Sequence, residues 1–151
     1  VTGGKWTTSR AMAEDVLDRC FEAGRLPPRP GGQSARHPLV GASTEASVPV
    51  HAPPGLHLYG SEAAAVQALP GADQPLGMGL SAAMVRFAVR CEYAHTVEDV
   101  LARRWRSLFL DAAEAARMAP AVADLMRDEG VEDPQEAGFV ALARTYGAGR
   151  V

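Results

Sequence analysis

Apolar residues recur at helical spacing in two parts of the chain, and a stretch without any period separates them. The first part predicts a helix from about residue 8 to residue 23. Thr7 or Thr8 is expected to cap the start of this helix through its hydroxyl, and Gly24 is expected to end it. The apolar face is expected to contain Met12, Val16 or Leu17, and Cys20 or Phe21.

The helical pattern returns after the aperiodic stretch and continues in several segments. Ser61 is expected to cap the first of them, and Thr96 followed by Asp99 forms the pattern of a capping box. Asp133 and Pro134 are expected to be the cap and the first-turn residue of the last helix. The predicted helices cover about 61–69, 81–93, 97–109, 111–118, 120–129 and the chain from 134 onward.

The clearest apolar stripe lies in the segment 97–109. Asp99 and Arg103 stand four positions apart there and are expected to form an ion pair on the helix surface. The stripe itself is expected to contain Val97, Val100, Leu101, Trp105, Leu108 and Phe109.

The aperiodic stretch, residues 24–55, contains seven of the eleven prolines. A structureless stretch of this length is uncommon inside a compact domain, so it is interpreted as a connector. Only HPLVGA, residues 37–42, has enough apolar content to pack on another part of the protein. The predicted organisation is a turn and helix in residues 1–24, a Pro/Gly-rich connector in 25–56 and a compact helical bundle in 57–151.

The composition favours an all-α protein. Hydrophobic residues make up 47% of the 151 residues and aromatic residues only 6%, with alanine abundant throughout. The formal net charge of −3 gives no reason to bind nucleic acid. No stretch approaches the ~20 apolar residues of a membrane-spanning helix, so a cytoplasmic protein is expected. Cys20 and Cys91 are far apart, without metal-ligand spacing, and are expected to be reduced.

The bundle carries no pattern typical of catalysis. His51 and His57 flank a Pro-Gly loop without a third ligand, so no metal is expected. The chain contains neither G-x-G-x-x-G nor G-x-x-x-x-G-K-[ST], the motifs that hold a dinucleotide or a triphosphate. Glu92 is expected to form structural ion pairs with nearby arginines, for which the candidates are Arg90, Arg103 and Arg104.

The opening turn, VTGGKWTTSR, is the best candidate for a ligand site. Gly3 and Gly4 allow the backbone to turn tightly and approach a ligand, and the helix that follows directs free N–H groups toward the turn. Lys5 adds a positive charge, and Thr7 and Thr8 add hydroxyls. An anion or a developing negative charge suits such a site. The alternative is that the glycines only make a turn and the threonines only cap the helix.

Several blocks of the sequence resemble, in order, FAD-dependent glycerol-3-phosphate dehydrogenases and the related glycerophosphate oxidases. GGKWTTSRAMAED resembles GGKWTTYRKMAED of that family, HPLVGA resembles PLPGA or PLVGA, and LYGSEA resembles RYGSEA. AVRCEYAHTVEDVLARRWRSLFLDAAEA resembles AVRxEMARTVEDVLARRTRxLFLDAxAA, and PAVADLMRDEG and FVALARTYG follow in the same order. The chain departs from the family pattern at four positions. Ser9 stands where the family has Tyr, and Leu58 and His95 stand where it has Arg. Trp105 stands where the family has Thr.

The resemblance implies that this chain is the C-terminal part of such an enzyme. It would comprise the last turn and helix of the FAD domain, a connector and the helical C-terminal domain. A Gly-Gly turn of this kind normally follows a strand, and that strand would belong to an upstream domain. Lys5 is implied as the best candidate for direct contact with the flavin region. The positions that the resemblance places beside the isoalloxazine ring of FAD are Gly3, Gly4, Lys5, Trp6, Thr7 and Thr8.

The implied reaction is the oxidation of sn-glycerol 3-phosphate to dihydroxyacetone phosphate, with hydride transfer to FAD and electron transfer to a quinone. The resemblance also implies a homodimer at the cytosolic face of the inner membrane, held there peripherally. The chain alone is expected neither to hold FAD nor to turn over. The alternative is a self-standing helical interaction module. A strand followed by G-x-G-x-x-G in an upstream sequence would distinguish the two.

Overall fold

The structure, a computed structural model, describes residues 5–29, 31–42, 48–49 and 51–148. Gly3 and Gly4 of the candidate turn lie outside these residues. The chain divides into two compact units, Val1–Leu39 and Val40–Val151. Helices predominate, and the described residues contain one small two-stranded sheet, which confirms the predicted mainly helical class.

The first unit is built on one helix, α1 (Ser9–Glu22), which a 3₁₀ turn (Trp6–Thr8) precedes. Gly24 ends α1 as the sequence predicts. It takes a left-handed φ of +64°, and its N–H donates to the carbonyl of Phe21 at 3.0 Å. The next N–H, of Arg25, donates to the carbonyl of Cys20 at 2.9 Å, which completes a Schellman motif.

The chain after α1 returns to contact the helix at Glu14. The Ser34 hydroxyl donates to the Glu14 carboxylate at 2.7 Å, and Arg10 forms an ion pair with the same carboxylate at 2.7 Å. The hydrogen bonds from Ser34 and then from Arg10 lower the pKa of Glu14. Part of the predicted connector therefore has a defined position on α1, although its described residues before Leu56 form no helix or strand.

The second unit contains the remaining elements. It opens with a 3₁₀ segment whose helical dihedral angles are interrupted at Gly60. The elements in chain order are the 3₁₀ segment Leu56–Glu62, α2 (Ala63–Gln67), β1 (Pro75–Gly77), β2 (Leu80–Ser81), α3 (Ala82–Cys91), a π-helix (Asp99–Arg104), α4 (Ser107–Leu110), α5 (Ala112–Asp128) and α6 (Glu136–Ala148).

The hydrophobic core lies around α5, which packs against α3, α4 and α6. Its small residues Ala115, Ala119 and Ala123 are all fully buried and allow the neighbouring helices to approach closely. The larger side chains that are fully buried are Val66, Leu80, Val85, Val97, Val100, Leu101, Met118, Val122 and Met126.

A β-hairpin that the sequence pattern did not predict joins α2 to α3. Strands β1 and β2 pair antiparallel, and the turn between them contains Met78, at a left-handed φ of +50°. The indole N–H of Trp105 donates to the carbonyl of Met78 at 2.8 Å. A Cβ on the next residue, Gly79, would lie 2.0 Å from the carbonyl oxygen of Pro54. The hairpin turn is therefore held between Trp105 and the segment that leads into the bundle.

The segment after Thr96 follows the sequence prediction only in its first half. The Thr96 hydroxyl accepts from the Asp99 N–H at 3.1 Å, and the Asp99 carboxylate accepts from the Thr96 N–H at 3.0 Å, which confirms the capping box. The predicted pair of Asp99 and Arg103 is also present. The helix does not continue to residue 109, because Arg106 takes a left-handed φ of +60°. Phe109 is consequently 43% exposed instead of lying in the apolar stripe.

Pro120 does not begin a new helix as predicted. It lies inside α5, which runs without a break from Ala112 to Asp128. An internal proline removes one backbone hydrogen bond and costs about 3 kcal/mol. Burial of Ala119 and Val122 on either side favours the continuous helix in spite of that cost.

Two predicted helix starts are wrong. Ser61 does not cap a helix, because α2 begins two residues later and the Ser61 N–H donates to the carbonyl of Gly41 at 3.2 Å. Pro134 is not the first residue of α6, because the left-handed Gln135 separates it from the helix. Pro134 is instead fully buried, and its carbonyl accepts from the Val97 N–H at 2.8 Å.

An ion network joins α3 to the end of α5. The carboxylate of Glu129, whose side chain is only 8% exposed, accepts from Arg90 at 2.6 and 2.8 Å and from Arg86 at 2.6 Å. Hydrogen bonds from Arg90 and also from Arg86 lower the pKa of Glu129 to about 2, against the opposing effect of burial. The Glu129 carboxylate therefore stabilises the folded state at every pH at which it is ionised in both the folded and the unfolded protein.

We expect Glu129→Gln to lower the free energy of unfolding by about 2 kcal/mol at pH 7, because it removes hydrogen bonds between charged groups. Because the pKa of Glu129 is lower in the folded state, its carboxylate stabilises the fold fully at pH values above 4.5, its pKa in the unfolded chain. This stabilisation is lost as the pH falls from 4.5 toward about 2. Urea unfolding at pH 7 and pH 3 should therefore show a smaller difference between variant and parent at pH 3.

The control is Asp128→Asn, which removes the neighbouring, 63% exposed partner of Arg86. It should change stability by less than about 0.5 kcal/mol, since exposed ion pairs contribute little. A Glu129→Gln protein as stable as this control at pH 7 would contradict the assigned role of Glu129.

Candidate functional site

The described part of the predicted ligand turn is Lys5 to Thr8. Lys5 is extended, with φ −85° and ψ 144°, and stands directly before the 3₁₀ turn. The side chains of Lys5, Trp6, Thr7 and Thr8 are all exposed, and that of Trp6 is 92% exposed. The turn thus presents a cation, an indole and a hydroxyl to its surroundings at the N-terminal end of α1.

The predicted helix cap is wrong. Thr8 occupies the N-cap position of α1 but its side chain accepts no hydrogen bond from the helix. The Thr8 N–H and the Thr8 hydroxyl both donate to the carbonyl of Lys5 at 2.9 Å. The first N–H groups of a helix have no acceptor within it and carry its positive dipole end. Thr8 therefore fixes the backbone of Lys5, and the Thr8 side chain does not cap the first N–H groups of α1.

Helix α1 itself has an apolar face that nothing in its own unit buries. None of its 14 residues is buried. Leu17 is 47% exposed, and a shallow groove runs along the helix between Met12, Val16 and their neighbours. An isolated helix of this length is marginally stable in water, so packing on its apolar face is the usual source of its stability.

Glu92 and its neighbouring arginines form separate ion pairs. Glu92 pairs with Arg104, Nε to Oε2 3.5 Å. Arg90 pairs with Glu129, and Arg103 pairs with Glu98 and Asp99. The expectation of ion pairs on helix surfaces holds, although of the three candidate arginines only Arg104 pairs with Glu92.

Two residues that the sequence analysis did not single out, Tyr59 and Glu62, lie beside the Glu92–Arg104 pair. All four line one cavity of about 270 Å³ in the second unit. Neither residue carried a signal in the sequence, since Tyr59 lies just before the helix predicted at about 61–69 and Glu62 lies at its beginning. The cavity is a second candidate site in the described residues.

His51 and His57 belong to no metal site within the part of the chain that the structure describes. There, no three or more His, Cys, Asp or Glu side chains are grouped so as to hold a metal ion. Cys20 and Cys91 are both free thiols. Among the described helices, none combines the length and apolar character required to cross a bilayer.

Comparison with known proteins identifies the class of this helical domain. Residues 33–137 match the model of the family described as the C-terminal domain of alpha-glycerophosphate oxidase. The matched range includes the cavity residues and all of the second unit through the start of α6. The chain therefore belongs to that family.

Several relatives of the chain are named as glycerol-3-phosphate dehydrogenases. The chain is 31% identical to the mitochondrial glycerol-3-phosphate dehydrogenase SDP6 of Arabidopsis thaliana over 85% of its own length and 25% of that protein. It is 33% identical to a probable mitochondrial glycerol-3-phosphate dehydrogenase of Caenorhabditis elegans over 97% of its length and 23% of that protein. It is 36% identical to glycerol-3-phosphate dehydrogenase 1 of Mycobacterium tuberculosis over 70% of its length and 22% of that protein.

The chain thus spans about a quarter of the length of the relatives that it matches. The Caenorhabditis elegans match covers enough of this chain to include α1, which lies outside the range of the family model. No solved structure matches the chain significantly.

Proposed function

We propose that the chain is the C-terminal part of an FAD-dependent glycerol-3-phosphate dehydrogenase. The whole enzyme would oxidise sn-glycerol 3-phosphate to dihydroxyacetone phosphate and pass the electrons to a quinone. It would act as a peripheral homodimer at the cytoplasmic side of the inner membrane. The observation that carries the proposal is the similarity to named glycerol-3-phosphate dehydrogenases, which extends beyond the family model to include α1.

The described end of the turn fits the flavin ring that the proposal places beside it. When bound, FAD would supply the hydride acceptor. Lys5 has an exposed side chain, and its extended backbone is fixed by both donors of Thr8. A cation and the positive end of a helix together stabilise negative charge that develops on a neighbouring carbonyl. These groups suit an electron-rich ring that becomes more negative as it is reduced.

Each residue of the turn has a separate role in this proposal. Gly3 and Gly4, which lie outside the described residues, would let the backbone approach the ring. Lys5 would contribute charge, and Trp6 and Thr7 would contribute an apolar surface and a hydroxyl. Thr8 would position Lys5 and not contact the ring through its hydroxyl, because the carbonyl of Lys5 already accepts that donor.

The exposed face of α1 supports an upstream domain in the proposed enzyme. A helix without a buried residue would gain stability by packing Met12, Val16 and Leu17 against a sheet. The chain alone would accordingly neither retain FAD nor oxidise glycerol 3-phosphate.

The test is to express the chain by itself and joined to a flavin-binding portion taken from its own gene. The proposal expects the longer protein to be yellow, to release FAD on denaturation and to reduce a quinone analogue with glycerol 3-phosphate. The 151-residue chain should do none of these. A longer protein that carries no flavin would favour the alternative of a helical interaction module.

A further inference from the structure

The cavity beside Tyr59 and Glu62 is lined by both charged and apolar residues. Its volume of about 270 Å³ is smaller than the ~300–1,000 Å³ of pockets for drug-sized ligands. It therefore suits a single side chain or a group of that size. Its lining residues are Val40, Gly41, Leu58, Tyr59, Glu62, Glu92, Arg104 and Trp105.

Arg104 is the cation of the cavity, and its donors are engaged within the chain. Its Nε lies 3.5 Å from a carboxylate oxygen of Glu92. Its two terminal nitrogens donate to the backbone carbonyls of Asp99, at 3.2 Å, and of Glu92. These contacts hold the guanidinium of Arg104 in place as part of the wall.

The two carboxylates of the cavity outnumber this one cation. Burial raises the pKa of Glu92; the charge of Arg104 lowers it, and the charge of Glu62 raises it. Glu62 approaches the chain at Gly41, where a Cβ would lie 3.8 Å from its Oε2. Within the described part of the chain, no ion pair to Glu62 is found. The lining side chains therefore have a formal net charge of −1.

Aromatic residues complete the wall. Tyr59 packs edge to face against Phe87, with ring centroids 5.4 Å apart, and Trp105 is held by its hydrogen bond to Met78. Burial raises the pKa of Tyr59, and the charge of Glu92 raises it further, so the Tyr59 hydroxyl stays neutral. Rigid aromatic and aliphatic surfaces beside a carboxylate suit a cation on an alkyl stem, since the stem packs while the charge reaches the carboxylate.

We propose that this cavity binds a guanidinium or ammonium group carried on a narrow alkyl stem, through the carboxylates of Glu62 and Glu92. The ligand would neutralise the excess carboxylate charge and place its stem between Leu58, Tyr59 and Trp105. All of its lining residues belong to the second unit, and the site does not depend on the proposed dehydrogenase activity. Its ligand could be a basic side chain of a polypeptide or a free molecule of the same chemistry.

The test is an NMR titration of the ¹⁵N-labelled 151-residue chain with N-acetyl-arginine amide. The matched control ligand is N-acetyl-citrulline amide, which has nearly the same shape and no charge. We expect saturable shifts at the amides of residues 58–62, with citrulline binding at least tenfold weaker. Equal binding of the two ligands, or no shift at these amides, would overturn the proposal.

Variants assign the binding to the cavity. Glu62→Gln should weaken binding at least fivefold, whereas Glu132→Gln, which changes an exposed carboxylate outside the cavity, should leave it unchanged. Leu58→Arg places a guanidinium in the chain itself at a 60% exposed position of the wall, and should abolish binding without a cost in folding. Unchanged binding in Glu62→Gln or Leu58→Arg would contradict the assignment.

The source of the cation is distinguished by two further ligands. Free L-arginine and a blocked Gly-Gly-Arg-Gly-Gly peptide are titrated under the same conditions. Tighter binding of the peptide would assign a polypeptide side chain as the occupant, and tighter binding of the free amino acid would assign a small molecule. Both outcomes support a cation site, while binding of neither overturns it.

Discussion

Gly79→Ala is expected to lower the free energy of unfolding by about 3 kcal/mol, through backbone strain and overpacking together. Gly79 has a φ of +79°, a conformation that costs an L-residue about 1–2 kcal/mol. The added Cβ would also lie 2.0 Å from the carbonyl oxygen of Pro54 and 2.9 Å from its carbon, both backbone atoms that cannot rotate away. Urea unfolding followed by circular dichroism measures the loss.

Gly130→Ala separates the two causes. Gly130 has a similar φ of +90°, but a Cβ there would meet nothing within 4 Å. This control adds only backbone strain, so its free energy of unfolding should fall by about 1 kcal/mol. If the two variants were equally stable, the close contact between the hairpin turn and Pro54 would not exist in solution.

Lys5→Ala, in the longer protein of the proposed function, should lower kcat/KM for glycerol 3-phosphate about 100-fold, the usual effect of removing one group that stabilises developing negative charge. The flavin midpoint potential should fall as well, because a positive charge beside the ring favours its more negative, reduced form. Steady-state kinetics and a spectroscopic redox titration measure the two effects.

The matched control for Lys5 is Arg25→Ala. Arg25 is also an exposed cation, but it lies beyond the opposite, C-terminal end of α1. Its removal should change neither quantity, and Lys5→Arg should restore much of the activity. A Lys5→Ala enzyme with bound flavin and an unchanged potential would show that Lys5 does not face the ring.

The fold could be predicted from sequence where one local signal decided the structure. Gly24 ends α1, and the Thr96–Asp99 capping box forms, because each depends on residues within one turn. The same reasoning failed at Pro120, where burial on both sides outweighs the local preference for a helix start. Arg106 and Gln135 take left-handed conformations that no local signal in these residues indicates.

The two candidate sites also differ in whether they could be predicted from the sequence. The turn at Lys5 could be identified in the sequence because glycines, a cation and a helix start lie next to one another in the chain. The cavity could not, because its walls come from Gly41, Glu62, Glu92 and Arg104, and only the fold brings these together. The Thr8 hydroxyl was assigned to the helix and binds the Lys5 carbonyl instead, a choice between two acceptors that the sequence alone does not resolve.

The two tryptophans of the chain differ almost completely in their contact with water, since Trp6 is 92% exposed and Trp105 only 7%. Their emission should therefore separate, with a red component from Trp6 and a blue component from Trp105. The blue component reports melting of the bundle, and the red component would be quenched when a flavin ring stacks near the turn. Fluorescence of the unlabelled protein can thus follow the two units independently.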